Sequence, residues 1–557
     1  MADTVREIER KYEADNDTQL PDLAGIGPVA AVAEAGTEDL DALYYDTTGL
    51  RLVADGITLR RRTGGRDAGW HLKLPVAPGV RDEVRAPLSD VPPPELTALV
   101  RSRALDQELV PVVRLRTRRT VRVLRDAAGT PLAEVAEDAV RAWPAAGAVG
   151  AGEAGAGRAG ARWREIEVEL LGEGDTGLLD EIGRALAAAG VRPASAASKL
   201  ERALAETGQG RDGAAAPHTA GPDGRPTDGS GKAAAKAKPQ AKSQGNKGKA
   251  AAKGKGAGAG KKGQTAGDVV LRYAHEQVRA IIELEPAVRR DLPDAVHQMR
   301  VATRRLRSAF RSYTKVLDRA ATRPIGVELK WLAAELGVER DREVLTERLQ
   351  EALAGVPGTL RLGPVDARLR IWSERRRAGA RDQLLAVLDG PRHLSLLESL
   401  HAFLEEPPLR KAAGRPASEV VAGAVLKDYR RLARRTEAAL AAPAGRERDE
   451  ALHGARKAAK RTRYAAEAAR PALGRPAKKF AKRTKRVQQL LGDHQDSVVA
   501  RATLRELVTQ AQQAGEGGFT FGLMYGREEA LAADRERALP GLWRKVSRRK
   551  HRAALRP

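Results

Sequence analysis

In the first 207 residues, acids and bases recur at every second position. Glu7, Glu9 and Lys11 alternate with Ile8 and Arg10, and Glu165, Glu167 and Glu169 alternate with Ile166, Val168 and Leu170. Arg60 and Arg62, His71 and Lys73, Arg114, Arg116 and Arg118, and Glu134 and Asp138 repeat the spacing. On a β-strand, positions i, i+2 and i+4 share one face. Carboxylates presented this way suit a hard divalent cation such as Mg²⁺ or Mn²⁺, and arginine and lysine suit phosphate oxygens. A half-exposed sheet also carries a charge at every second position. Here, however, the charges are sorted by sign: acids on the first and last strands, bases on the middle ones. If such a sheet closes, the charged faces meet inside a barrel, and the interior suits a metal–polyphosphate ligand.

The elements that must position these side chains are short alternating runs between Gly, Pro and Asp turns: VREIERKYE, LYYDT, ITLRRRT, GWHLKLP, PVVRLRTRRTVRVLRD, PLAEVAEDAVRA and RWREIEVELLG. They predict a multi-stranded antiparallel sheet or barrel. Two helical stretches interrupt it, PELTALVRSRAL and TGLLDEIGRALAAAGV, the second preceding SKLERALAE.

The charge of the whole chain is +25 over 557 residues. Residues 1–207 carry a net −7, residues 208–267 a net +9 and residues 268–557 a net +23. Three parts are therefore expected: a mildly acidic β domain (1–207), a linker (208–267) and a strongly basic domain (268–557). The linker contains GKAAAKAKPQAKSQGNKGKAAAKGKGAGAGKKG, which has no large apolar residue and is expected to be disordered. Its lysines serve equally as a solubilising tether or as a loose, salt-sensitive polyanion contact.

The basic part has helical periodicity and an internal repeat. VHQMRVATRRLRSAFRSY (296–313) matches LHGARKAAKRTRYAAEAA (452–469). His297, Arg300 and Arg304 share one helical face, as do His453, Arg456 and Lys460. A second pair of elements follows at matched distance. Gly337 is 40 residues after His297, and Gly492 is 39 after His453; Asp341 and Asp496 follow at 44 and 43. Two pseudo-symmetric helical bundles are expected, with a basic groove between them that would attract a long anion. Charge runs of this kind are commonly solvated helix faces. Duplication of one pattern within the chain favours two copies of one surface that meet.

Composition excludes other classes. With no Cys there is no disulfide framework, thiolate nucleophile or cysteine-bearing metal site. No apolar run is long enough to span a membrane, and MADTVREIERKYE lacks the apolar core of a secretory signal. A cytoplasmic location follows as the expectation. Aromatic residues are only 3% of the chain, too few for a base-stacking surface, so no specific nucleic-acid partner is expected.

The motifs resemble a known pair of families. Glu7-Ile-Glu9-Arg-Lys11 has the ExExK form that opens the CYTH, or triphosphate tunnel metalloenzyme, family. The resemblance continues in order through LRRRT (59–63), WHLKLP (70–75), LRTRR (115–119), LAEVAED (132–138), WREIEVELL (163–171) and SKLERAL (198–204). It implies an eight-stranded antiparallel tunnel that binds a triphosphate with Mg²⁺ or Mn²⁺ and hydrolyses inorganic or thiamine triphosphate, or cyclises ATP. Carried over, Glu7, Glu9, Glu167 and Glu169 are metal-side carboxylates, with Glu165 and Asp138 as further ligands. Lys11, Arg60, Arg62, Lys73 and an arginine among Arg116, Arg118 and Arg119 form the phosphate clamp, and Lys199 caps the tunnel. The chemistry is then expected to centre on Glu7, Glu9, Lys11, Glu167 and Glu169. Residues 268–550 resemble the CHAD domain through YAHEQV, both histidine helices and GDHQDSV. That resemblance implies binding of inorganic polyphosphate, with His297, Arg300, Arg304, Arg307, His453, Arg456, Lys457, Lys460 and Arg461 as contacts. Association with polyphosphate granules is the alternative to a purely cytoplasmic location. The combined expectation is a metal-dependent triphosphatase with a polyphosphate-binding domain. The alternatives are a granule protein with little catalysis and a nucleotide cyclase.

Overall fold

A computed structural model describes residues 3–15, 17–145, 160–172, 174–208, 264–377 and 379–556. The N-terminal part contains β1 (Asp3–Ala14), β2 (Ala31–Asp46), α1 (Arg51–Ala54), β3 (Thr58–Thr63), β4 (Gly69–Ala77), β5 (Val80–Ala86), α2 (Pro94–Ala104), β6 (Val110–Arg125), β7 (Pro131–Pro144), β8 (Ala161–Leu170), α3 (Thr176–Ala188), β9 (Arg192–Pro193) and α4 (Lys199–Glu206). The strands run antiparallel in the order β5-β4-β3-β2-β6-β7-β8-β1. Pairing of β5 with β1 closes them into an eight-stranded barrel, with the two-residue β9 added beside β1.

Closure sorts the strand faces. Outward-facing Leu59, Trp70, Leu72 and Val84 pack against Leu96, Leu99 and Val100 of α2. Outward-facing Tyr12, Val135, Ile166 and Val168 pack against Leu178, Leu179, Ile182 and Leu186 of α3. Helices cover both outer faces, so the opposite phase of each strand is turned inward.

One end of the interior is apolar and plugged. Leu200, Ala203 and Leu204 of α4 pack against Leu115, Val140, Trp163 and Tyr44. Ser198 caps α4 by accepting from Glu201 N at 3.1 Å, and the Glu201 carboxylate accepts from Ala197 N at 2.8 Å. These two bonds fix where the helix starts, and so set Lys199 at the inner tip of the plug.

The C-terminal part is helical: α5 (Ala266–Arg289), α6 (Ala295–Ser312), α7 (Arg319–Ala354), α8 (Val365–Arg377), α9 (Ala380–Asp389), α10 (Pro391–Glu405), α11 (Ala417–Ala441), α12 (Arg446–Ala468), α13 (Arg470–Gln513, broken at Gly474), α14 (Phe519–Val546) and α15 (Arg549–Ala553). A large core joins α5, α6, α11, α12 and the first half of α13. A second core joins the distal halves of α7 and α13 with α8 and α14. The expected linker, 208–267, lies mostly outside the described residues. α5 begins inside its last positions, with Thr265 and Asp268 forming a capping box. Among the described residues, no helix is long and apolar enough to cross a membrane.

Leu200 is completely buried at the plug. Leu200→Ala should therefore cost about 2–5 kcal/mol, measured by urea unfolding of the full chain. A cost near zero would show that α4 does not seal the barrel.

Candidate active site and basic groove

The open part of the barrel is a cavity of about 340 Å³ lined mostly by charged residues. Its acidic wall is the β1–β8 pair. Antiparallel register sets Glu9 opposite Glu169 and Lys11 opposite Glu167. Lys11 and Glu167 form a close ion pair, and Lys11 also reaches Glu9 at 3.0 Å. Burial pushes the Glu9 carboxyl up, but Lys11, with Lys73 and Arg81, outweighs it and holds Glu9 at about 2. Glu169 faces like charges instead. Burial first, then Glu7, with Glu9 and Glu167 adding, raises it to about 7. Like charges directly opposite on a sheet repel, and the crowding falls on Glu169, since Glu7 and Glu9 are paired with Lys73, Lys11 and Arg81.

The opposite wall is cationic. Lys73 pairs with Glu7 at 2.6 Å. Arg60 Nη1 donates to the Tyr44 hydroxyl at 3.3 Å, and Arg62 is paired with Asp67. Burial, then Arg60, lowers Arg62 to about 10. The Nε atoms of Arg60 and Arg62 are buried and lack a hydrogen-bond partner. Glu83, like Asp67, is a carboxylate set into this wall. It accepts from Arg85 at 2.6 Å, pairs with His71 at 2.9 Å, and lies 3.7 Å from both Arg60 and Lys73.

Where the cavity meets the plug, Lys199 Nζ lies 2.9 Å from Asp138 and 2.6 Å from both Glu165 and Glu167. Arg119 makes a two-pronged pair with Asp138 (2.8 and 2.7 Å) and reaches Glu167 at 2.6 Å. The Trp163 indole donates to Glu165 at 2.6 Å.

These positions settle the arginine phase of β6. Arg119 faces the cavity, whereas Arg116 and Arg118 are exposed on the outer face, where Arg116 joins Arg114 on Asp41. Both are corrected from clamp to surface residues. β2 and β6 pair so that Glu38 opposes Arg119 and Asp41 opposes Arg116, and a one-residue change of phase moves a side chain across the sheet. Glu7, Glu9, Lys11, Arg60, Arg62, Lys73, Glu167, Glu169 and Lys199 all line the cavity. Glu165 and Asp138 lie behind them around Lys199. Tyr44, Asp67, Arg81, Glu83 and Arg85 also line it and were not singled out from the sequence. The alternation of Arg81, Glu83 and Arg85 in RDEVRA was the available signal, and nothing marked Tyr44.

Two carboxylate groups bear on metal binding. Asp138, Glu165 and Glu167 bring oxygens within 4.8 Å of one another, but Lys199, Lys11 and Arg119 already neutralise them. Glu7, Glu9 and Glu169 share the same wall: Glu7 and Glu9 are paired with Lys73, Lys11 and Arg81, and Glu169 holds a proton that a hard divalent ion bound to its oxygens would displace.

In the helical part the repeat is visible as geometry. Arg300 of α6 pairs with Asp341 of α7 at 2.7 and 2.9 Å, and Arg456 of α12 pairs with Asp496 of α13 at 3.5 Å. A Cβ at Gly337 would stand 3.1 Å from the Arg300 guanidinium, and one at Gly492 3.6 Å from that of Arg456. α6 packs on α12, and Arg300, Arg304, Arg456 and Lys460 converge there. Burial, then Arg304 and Arg456, pulls Lys460 down to about 6. His297 and Lys457 are exposed at the edge, and Arg307 and His453 are half-buried. Arg461 turns into the core instead, pairing with Asp428 at 2.8 Å and donating to Ser312. It is corrected from contact to structural residue, because Asp428 is buried and requires a cation.

Family models match this architecture: a CYTH domain over residues 5–203 and a CHAD domain over residues 272–505. The chain belongs to the CYTH–CHAD fusion proteins. Rv2226 of Mycobacterium tuberculosis is 37% identical over 549 residues, 97% of this chain and 96% of its own. The crystallised CHAD domain from the plant Ricinus communis is 26% identical, covers 51% of this chain and 92% of its own, and superposes with a TM-score of 0.40. HpAC1 from Hippeastrum, described as an adenylyl cyclase with a dominant triphosphatase activity, is 18% identical over 36% of this chain and 95% of its own, with a TM-score of 0.21. CYTH members act as triphosphatases or cyclases, and their domains are metal-dependent.

Removing Lys199 would leave Asp138, Glu165 and Glu167 under-neutralised in a buried site. Lys199→Met should destabilise the fold by about 3–5 kcal/mol at neutral pH. The loss should shrink as the pH falls, since the carboxyls then take up protons in the folded state. Thermal unfolding from pH 4 to pH 8 reads this out, and a loss independent of pH would contradict the assignment.

Proposed function

We propose that the barrel is a divalent-metal-dependent triphosphatase acting on inorganic triphosphate or a related compound, and that the helical domain binds inorganic polyphosphate. The observation that carries the first half is the sorted interior: a blind cavity with the carboxylates Glu7, Glu9, Glu167 and Glu169 on one wall and Arg60, Arg62, Lys73 and Arg119 around the rest. A short phosphate chain with its metal matches both signs at once.

Glu7, Glu9 and Glu169 would hold the Mg²⁺ or Mn²⁺, which supplies charge neutralisation on phosphate oxygens when bound. Arg60, Arg62, Arg119 and Lys73 orient the chain and stabilise the negative charge that develops in the transition state. A water oxygen bonds to the terminal phosphorus as the anhydride P–O bond breaks. The shorter phosphate leaves with the bond electrons, and a wall carboxylate takes the proton of the water. The α4 plug closes the far end, which restricts the cavity to short chains. Tyr44, hydrogen-bonded to Arg60, fixes the guanidinium that meets the substrate.

For the second half, the carrying observation is the convergence of four cations, from both repeats, on one groove. Four cations against two acids, Asp341 and Asp496, leave a net positive surface that suits an extended polyanion.

Phosphate release from triphosphate, pyrophosphate, ATP and thiamine triphosphate with Mg²⁺ or Mn²⁺ tests the first half. Triphosphate should be hydrolysed, and Glu9→Ala should lower turnover at least about a hundredfold. No release from any of the four would overturn the enzyme reading. Polyphosphate binding tests the second half and should persist in excess duplex DNA; equal competition by DNA would leave only generic charge attraction.

The groove also predicts a proton linkage. With its folded value near 6, Lys460 is mostly neutral at pH 7.5. A bound polyanion favours its charged form, so binding takes up a proton and affinity falls as the pH rises from about 6. Calorimetry in buffers of different ionisation enthalpy should show uptake in the native protein and none in Lys460→Met. Equal uptake in both would exclude Lys460 as the group.

A further inference from the structure

The two halves meet through backbone groups that their own helices leave unbonded. Pro286 lies inside α5. It has no N–H, so the carbonyl four residues earlier, that of Ile282, loses its helical partner. In this structure the tunnel domain supplies the missing donors. Ser102 Oγ donates to Ile282 O at 3.1 Å and Arg103 Nη1 at 2.8 Å. Both residues are in the last turn of α2, and both are buried, at 0% and 5% exposure.

The exchange runs the other way too. The last carbonyls of a helix lack intrahelical donors. That of Ser102 accepts from His401 Nε2 of α10 at 3.0 Å. On the helical side, Leu388 O in the last turn of α9 accepts from Arg101 of α2 at 3.2 Å. Leu105, the left-handed residue that ends α2, packs on the helical core. A second point of attachment lies on the barrel seam: Arg290, just past α5, pairs with Asp82 of β5 at 2.9 Å, and the same carboxylate holds Arg6 of β1 at 2.5 Å.

We infer that the last turn of α2 (Arg101, Ser102, Arg103) is a docking element for the helical domain of this chain, that Pro286 creates its receptor by freeing the Ile282 carbonyl, and that the two domains stay bound without a covalent connection. A buried guanidinium and hydroxyl converging on one carbonyl form a specific contact, because losing either side strands a polar group away from water. The contact sets how the basic groove sits relative to the barrel.

The test uses the full chain with a protease site inserted within residues 209–263. After cleavage, the two fragments should co-elute in gel filtration at micromolar concentration and physiological salt. Fragments that elute separately overturn the inference. Arg103→Ala should weaken association of the cleaved fragments at least about tenfold. Pro286→Ala is the decisive variant. It restores the N–H that bonds Ile282 O within α5, and it removes a helix-breaking residue, so the helical domain should fold at least as well as before. Association should nevertheless weaken. If Pro286→Ala fragments bind as tightly as the native ones, the Ile282 carbonyl is not the receptor.

Discussion

A closed barrel that carries charge on its inner face must neutralise that charge with what the neighbouring strands bring to the same height. Everything in the tunnel domain follows from this constraint. Lys11 answers Glu167 across the β1–β8 pair, Lys73 answers Glu7 from β4, and Lys199 enters from a helix to meet the three acids that the strands leave over. The solution is incomplete at Glu169, which faces Glu9 in register while Lys11 and Arg81 pair with Glu9, and Glu169 accordingly holds its proton up to about 7. A barrel selected only for stability would place a lysine or an apolar pair there. The crowded Glu169 carboxyl is what sets this stretch of wall apart from the paired acids around it.

The helical domain inverts the problem. Its groove gathers arginine and lysine from two repeats, and its acids are few and placed to orient rather than to cancel. Asp341 and Asp496 each hold one arginine, Arg300 and Arg456, at the same station of their repeat. Lys460 then carries the cost of crowding, with a folded value near 6. In the barrel one carboxyl, Glu169, is crowded by acids; in the groove four cations share two acids. On the function proposed above, phosphate would relieve both, alone in the groove and together with a divalent ion in the barrel.

Much of this was legible in the sequence, because a two-residue period and a duplicated motif survive without any contact information. The inward phase of β1, β3, β4 and β8 could be read from Glu7, Arg60, Lys73 and Glu167. The phase of β6 could not. LRTRRT offers arginines to both faces, and only pairing with β2 shows that Leu115 meets the plug, that Arg119 enters the cavity, and that Arg116 meets Asp41 outside. β2 itself was visible only at LYYDT. Its first half, AVAEAGTEDL, has small residues where core side chains would have marked the period. Arg461 looked like its basic neighbours, and its inward turn depends on Asp428, 33 positions earlier and on another helix.

The domain contact was illegible for a different reason. It is made by backbone carbonyls, and a sequence records those only through the residues that fail to bond them. Pro286 is such a residue. Within α5 it costs a hydrogen bond and gains nothing locally, so it reads as a defect. Set beside Ser102 and Arg103, the same missing N–H becomes a vacancy that another domain fills. A proline that is unfavourable in its own helix is retained most readily where the carbonyl it frees has a partner elsewhere, and here that partner sits on the helix covering the outer face of the barrel.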